Sequence, residues 1–270
     1  MIDIVISTYN RADYLRMAIA SVLHQTNSKY HLYILDNCST DNTSEIVESF
    51  KNPEVTYIKN DKNLGMVGNW NKALTVGESE YVHIFHDDDI LEPDFIDNVY
   101  SVINENNDCV FIHAAANIID EQGEFLKTNI EPYETITNGN KFFSDYLQVG
   151  QRIICPSAVI NRRLLPKGAE FSEDFPFTAD INFWVRISNY GQVGYVSSPS
   201  LSYRIHKQST TSTIVENIEN KIKERLRFRV FLIKEMSNRN IGYSGAADGN
   251  LIANLIADIW FARLLGGSFY

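Results

Sequence analysis

The sequence is short of basic residues: 24 Lys and Arg face 34 Asp and Glu, a net charge of −10. A general nucleic-acid binder needs a basic face, so that class is excluded. A nucleotide ligand is not, because a metal ion can join an acidic protein to an acidic phosphate. Cysteine is scarce as well. Cys38, Cys109 and Cys155 are odd in number and widely spaced, which gives neither a disulfide framework nor a zinc pattern and points to a reducing, cytoplasmic setting. No apolar run is long enough to span a bilayer, and a strand-like run starts at Ile2, leaving no room for a secretion signal. The chain contains neither G-x-G-x-x-G nor G-x-x-x-x-G-K-[ST], so the usual dinucleotide and NTPase readings lose their main support. The rest of the composition is ordinary. In 270 residues, 44% hydrophobic and 21% charged, there is material for one substantial core, with or without an appendage.

The order of elements carries more information. Ile2 to Ser7 is apolar and β-branched and gives way to a polar loop, Thr8 to Arg11. Asp13 can then cap a helix carrying Leu15, Ala18, Ile19, Val22 and Leu23 at helical spacing. A strand from His31 to Leu35 ends in Asp36 to Asp41, and a helix follows through Ile46, Val47 and Phe50. A third strand, Val55 to Ile58, leads to the turn Asn63-Leu64-Gly65 and a helix with Asn69, Trp70, Ala73 and Leu74. The strand Tyr81 to Phe85 then runs into Asp87-Asp88-Asp89. This alternation predicts an α/β protein whose mostly parallel sheet is flanked by helices. Such sheets bind ligands outside the carboxyl ends of their strands. Three of these ends carry polar clusters.

Three adjacent carboxylates repel one another and need solvent, donors or a cation for compensation. Mg²⁺ and Mn²⁺ prefer oxygen ligands, and Mg²⁺ commonly combines one or two carboxylates with substrate phosphates. A metal–diphosphate site is one reading of Asp87 to Asp89. A solvated acidic turn before the helix at Pro93 is the other.

In this order, S-T-Y-N-R, L-D-N-C-S-T-D-N-T, N-L-G-M-V-G-N-W-N-K-A and H-D-D-D-I-L-E-P-D-F resemble the nucleotide-binding half of family-2 glycosyltransferases, nearly continuously from Ile2 to about Phe111. That family has the GT-A fold and is mostly inverting. The resemblance implies that Thr8, Tyr9 and Asn10 line the base and ribose pocket, with Arg11 in the same loop. Asp36 would accept a hydrogen bond from the base, which suits uracil. Asn63 and Gly65 would close the pocket near Asn69. The acidic run stands where the family has D-x-D, with His86 in place of the first Asp. The ribose contact then passes to Asp87, and Asp88 becomes the metal ligand. Asp89 is either a further ligand or a helix cap.

Further along, A-D-I-N-F-W (Ala179 to Trp184) resembles the family's E-D-x-x-L-W, with Ala179 replacing Glu. It implies that Asp180 is the general base that takes the acceptor hydroxyl's proton. Without the resemblance, Asp180 reads as a helix N-cap. Trp184 is either a sugar platform or core. Tyr203 to Ser209 resembles Y-R-x-H-x-x-S, which makes His206 a metal or phosphate ligand, a role imidazole suits with Mn²⁺. Arg204 either neutralises diphosphate or pairs with a surface acid.

The implied protein is one GT-A domain, Met1 to about Thr213, followed by a helical extension over 214–270. It would use Mn²⁺ or Mg²⁺ to transfer sugar from a UDP-sugar to a saccharide or glycoprotein hydroxyl. In the extension, Ile214, Ile218, Ile222, Leu226, Val230 and Ile233 form one apolar stripe, flanked by basic residues that read as a solvated face or as contact with the inner membrane surface. A second stripe, from Leu251 to Leu265, would close the core or pack on another copy of the chain. Two rivals remain: a metal-dependent nucleotidyltransferase, and a non-catalytic glycan-binding module of the same fold, which the departures at His86 and Ala179 keep open.

Overall fold

The computed structural model describes residues 1–150, 153–207 and 218–241. Its first half alternates strand and helix: β1 (Ile2–Thr8), α1 (Ala12–Leu23), β2 (Tyr30–Asp36), α2 (Thr43–Ser49), β3 (Val55–Lys59), α3 (Gly65–Ala73), β4 (Tyr81–His86), β5 (Ile90–Leu91) and α4 (Phe95–Glu105). Then come β6 (Cys109–Ile119), β7 (Phe125–Asn129), β8 (Ile136–Asn138), α5 (Gly139–Val149), β9 (Val159–Asn161), α6 (Ala179–Ile187), β10 (Gln192–Arg204) and α7 (Ile218–Asn238).

The sheet order is β3-β2-β1-β4-β9-β6-β10-β5, with β7 beside β6 and β8 beside β10. β9 runs antiparallel to both of its neighbours, β4 and β6, so β1 to β4, β6 and β10 all point the same way. Helices cover both faces, because successive residues of the buried strands point to opposite sides. Ile4 and Ile6 of β1 join the layer containing Leu15 and Ile19 of α1 and Phe95 and Val99 of α4. Val5 joins the opposite layer with Trp70 of α3, Phe142 of α5 and Trp184 of α6. Each fully buried side chain of this size contributes roughly 1.5–3 kcal/mol. No helix among the described residues is long and apolar enough to cross a membrane.

Several local expectations need correction. The helix α1 begins after Arg11, and its first amide, that of Ala12, is capped at 3.1 Å by Asp41 from the next loop rather than by Asp13. Between α5 and α6, Cys155 to Ser157 is a 3₁₀ turn and Val159–Asn161 a strand; Pro156 has no amide hydrogen to give a ladder. The connection between β7 and α5 contains the short β8. In α7, Val230 is exposed, whereas Ile222, Glu224, Phe228, Leu232 and Met236 are buried. The aromatic residues Phe228 and Phe231 pack on Phe175 and turn the helix away from the expected stripe. Phe228, Leu232 and Met236 belong to the same core layer as Trp184. The second stripe and the subunit contact expected of it lie outside the described residues.

Candidate active site

Parallel pairing brings the strand ends together: Thr8 is opposite Asp36, Asp36 opposite Lys59, and Ser7 opposite His86. The loops leaving them surround a cleft of about 530 Å³. Thr8, Tyr9, Arg11, Asn63, Gly65 and Asn69 line it, as do Asp87, Asp88 and Asp180.

The remaining predicted residues sit just outside. Asn10 adopts a left-handed conformation, φ 52°, which Asn tolerates. Its Oδ1 accepts from the Thr40 amide at 2.8 Å and its amide donates to Ser39 Oγ at 2.9 Å, fastening the first loop to the second. Asp36 is fully buried, and it accepts from the Ser39 amide (2.8 Å) and the Tyr57 hydroxyl (2.6 Å). It lies beneath the cleft with both oxygens engaged. Burial, then the bond to Asp36, pushes the Tyr57 hydroxyl pKa up.

An asparagine network sets the cleft floor. Asn37 Oδ1 accepts from the Leu64 amide (2.8 Å) and from Asn60 Nδ2 (3.1 Å), while its Nδ2 donates to Asn63 Oδ1 (2.9 Å). Asn60 also donates to Asn69 Oδ1 at 2.8 Å, and Asn69 Nδ2 donates to Ser7 Oγ at 2.7 Å. Thus Asn63 and Asn69 hold the backbone that shapes the cleft. Asn37 and Asn60 were missed as structural ties, although each stands two residues past the end of a predicted strand.

The acidic run forms the turn between β4 and β5. Arg11 Nη1 bonds Asp88 Oδ2 at 2.7 Å and Asp87 Oδ1 at 3.2 Å. His206 Nε2 lies 3.0 Å from the same Asp88 oxygen, and its ring packs 4.8 Å from Tyr14. Burial, reinforced by Asp88, pushes the Asp87 carboxyl up to about 7. Burial also opposes ionisation of Asp88, but His86, Arg11 and His206 outweigh it and hold that carboxyl below its usual value. Asp89 does not cap α4, whose N-cap is Asp94. Its Oδ1 accepts from the Arg204 amide at 2.8 Å, and Arg204 Nε donates to the Asp88 carbonyl at 2.9 Å. Arg204 therefore braces the turn from β10 instead of reaching a surface acid.

His86, Asp88 and Asp89 each offer one ligand atom within 4.8 Å of the others. Two buried atoms of this group, His86 Nε2 and Asp89 Oδ2, have no hydrogen-bond partner among the described residues. One imidazole and two carboxylates are a fitting donor set for a divalent cation.

Trp184 is core, 1% exposed against Phe111 and Phe171. The tryptophan on the cleft is Trp70, whose indole stacks on His86 with centroids 5.4 Å apart and planes within 10°. Its position one residue after Asn69 was the available signal. Asp180 is the second residue of α6 and not its N-cap, which is Thr178. Phe177, Ala179, Cys155 and Tyr203 share the cleft wall and were not predicted as site residues.

The profile described as "Glycosyl transferase family 2" matches residues 3–165. The chain belongs to glycosyl transferase family 2. This glycosyltransferase is 27% identical over 240 residues to an uncharacterized glycosyltransferase of Methanocaldococcus jannaschii, covering 87% of the chain and 78% of that relative. An uncharacterized glycosyltransferase of Rickettsia bellii is 25% identical over 78% of the chain, which spans only 29% of that longer protein. Among solved structures, S. aureus TarS in complex with UDP-GlcNAc shares the fold with TM-score 0.70 and 18% identity, over 98% of this chain and 74% of the other. The Pyrobaculum calidifontis mannosyltransferase PcManGT, in complex with GDP-Man and Mn²⁺, gives TM-score 0.62 and 16% identity, over 99% and 76%. The fold is GT-A. Asp180 and His206 lie beyond the matched profile.

Proposed function

We propose that this glycosyltransferase moves a sugar from a UDP-sugar to a hydroxyl of a saccharide or glycoprotein acceptor, with inversion at the anomeric carbon. The observation that carries the reading is that Asp88 and Asp180, from separate elements, line one cleft. Thr8, Tyr9, Asn63 and Gly65 would receive the nucleoside, with Asp36 beneath. Asp87 would meet the ribose.

Asp88 and His206, with Asp89 and His86 beside them, would hold Mn²⁺ or Mg²⁺. A divalent ion there supplies positive charge against which a diphosphate can leave. Arg11, already on Asp87 and Asp88, adds a fixed cation at the same wall. Asp180 takes the proton of the acceptor hydroxyl as its oxygen attacks, since inversion needs a base on the side opposite the leaving group. Positive charge develops at the anomeric carbon, and the nearby carboxylates favour it. Neighbouring structures named with UDP-GlcNAc, and with GDP-Man and Mn²⁺, support a nucleotide-sugar donor and a divalent ion.

Calorimetric titration of UDP with Mn²⁺ and then with EDTA tests the reading, with GDP as the counter-probe. Metal-dependent binding selective for UDP is expected. Absence of binding in both conditions would overturn the donor assignment.

A further inference from the structure

The helix α7 reaches into the active-site wall through one buried charge. Glu224 is 1% exposed. Its Oε1 accepts from the Phe177 amide (2.8 Å), the Thr178 amide (2.8 Å) and the Thr178 hydroxyl (2.9 Å). Its Oε2 lies 3.1 Å from the Phe177 amide. These groups lead directly into α6, where Asp180 occupies the first turn. The N-cap residue Thr178 makes no side-chain cap bond of its own; its hydroxyl points to Glu224 instead. A carboxylate from a helix distant in sequence thus does what a local cap usually does: it satisfies amides at a helix start and sets negative charge against the positive end of the helix dipole.

Burying a carboxylate is costly unless it is fully hydrogen-bonded. Burial raises the Glu224 pKa, although the Phe177 and Thr178 bonds oppose the rise. The surrounding packing fixes the helix that carries it. Phe228 packs on Phe175 at 5.9 Å and on Tyr146 at 6.5 Å, and Arg227 Nη2 donates to the Asp174 carbonyl at 3.2 Å. The segment that α7 grips, Phe175 to Thr178, includes Phe177, a residue of the cleft wall.

We propose that Glu224 is a positioning residue for Asp180: it fixes the turn entering α6 so that the Asp180 carboxylate is held on the acceptor's side of the cleft. This rests on the reading of Asp180 as the general base. It makes α7 a working part of the catalytic unit, and it gives the buried acid of that helix a task that packing alone does not explain.

The test compares Glu224→Ala, Glu224→Gln, Glu224→Asp and Asp180→Asn. The readout is UDP release from whichever of UDP-glucose, UDP-galactose and UDP-GlcNAc the wild type uses fastest. It is accompanied by Mn²⁺-dependent UDP calorimetry and by amide exchange across residues 175–182. Glu224→Ala is expected to lower kcat at least tenfold, to leave the donor KM and UDP affinity within twofold, and to speed exchange in that segment. Glu224→Gln should recover most of the loss, because a single amide oxygen can replace Oε1. Glu224→Asp, one methylene too short, should stay slow. If Glu224→Ala does not fold, the order of the Gln and Asp variants decides, and Asp faster than Gln overturns the proposal. Normal kcat in Glu224→Ala beside an inactive Asp180→Asn overturns it while sparing the base. Equal losses in kcat and UDP affinity overturn it as well. Near-normal turnover in Asp180→Asn removes the base reading, and the positioning role falls with it.

Discussion

Arg11 Nη1 lies 2.7 Å from Asp88 Oδ2, the oxygen that His206 Nε2 also approaches at 3.0 Å. The guanidinium therefore holds positive charge against the carboxylate proposed to bind the metal. Removing one partner of a buried pair leaves the other uncompensated, at about 3 kcal/mol. Arg11→Gln should lower the melting temperature without metal by several degrees, and Mn²⁺ should raise it more in the variant than in the wild type. Thermal melts with Mn²⁺ and with EDTA check this; an equal Mn²⁺ shift in both proteins would place the ion away from Asp88.

Donor binding and proton removal should separate by mutation. Asp88→Ala should weaken Mn²⁺-dependent UDP binding at least tenfold. Asp180→Asn should leave that binding nearly intact and lower turnover by 10²–10⁴-fold, the usual contribution of a positioned acid or base. Calorimetry and UDP release on the same preparations decide. A metal affinity unchanged in Asp88→Ala counts against the ligand assignment.

Acid should destabilise the fold before most carboxylates titrate. His83 is fully buried, and the Pro156 carbonyl accepts from its Nε2 at 2.7 Å. Burial pushes its pKa from 6.5 down to about 4, and burial likewise lowers His113 to about 3. The unfolded chain binds these protons near pH 6.5, whereas the folded protein refuses them. Their contribution is complete above that value, is lost as pH falls toward 4 and 3, and amounts to roughly 3 kcal/mol or more for each. Urea unfolding between pH 7.5 and 4 should show the decline. In His83→Gln, which keeps a donor for Pro156, the slope should flatten; an unchanged slope would exclude His83 as a source.

Asp3, fully buried at the start of the sheet, holds Arg162 Nη1 at 2.7 Å, the Ser79 amide at 2.8 Å and the Ser79 hydroxyl at 2.7 Å. Burial opposes its ionisation, but Arg162, Ser79 and His31 outweigh it, so its pKa is lowered. Asp3→Asn should cost about 3 kcal/mol, because Arg162 keeps only carbonyl partners. Gly77, at φ +77°, abuts the same carboxylate: an added Cβ would stand 2.2 Å from Asp3 Oδ2. Gly77→Ala should therefore destabilise the protein too. Denaturant midpoints measure both, and a wild-type midpoint in Asp3→Asn would show that the pair contributes little.

The sequence made the first half of the fold readable because each strand there is a short apolar run closed by a polar loop, and such runs align their ends when pairing is parallel. Thr8, Arg11, Asp87 and Asp88 reach one cleft for that reason, and Asp180 joins them from the start of α6. Pairings between distant segments left no such trace. Nothing in Val159 to Asn161 reveals that it separates β4 from β6. Helical spacing could not show that Glu224 is buried while Val230 is exposed, since a charged residue goes inside only where donors from elsewhere await it. The two tryptophans illustrate the same limit: Trp184 and Trp70 are both helical and both buried, and only Trp70, stacked on His86, also reaches the cleft.

The antiparallel β9 also bears on how the protein is made. β4 ends at His86, yet its outer neighbour is Val159–Asn161. During synthesis the nascent chain would present β4 with an open hydrogen-bonding edge until those residues leave the ribosome, and open edges recruit other strands. A fragment ending near residue 150 would keep the whole nucleoside-facing surface and still be expected to aggregate, so the smallest piece able to stand alone extends past Asn161.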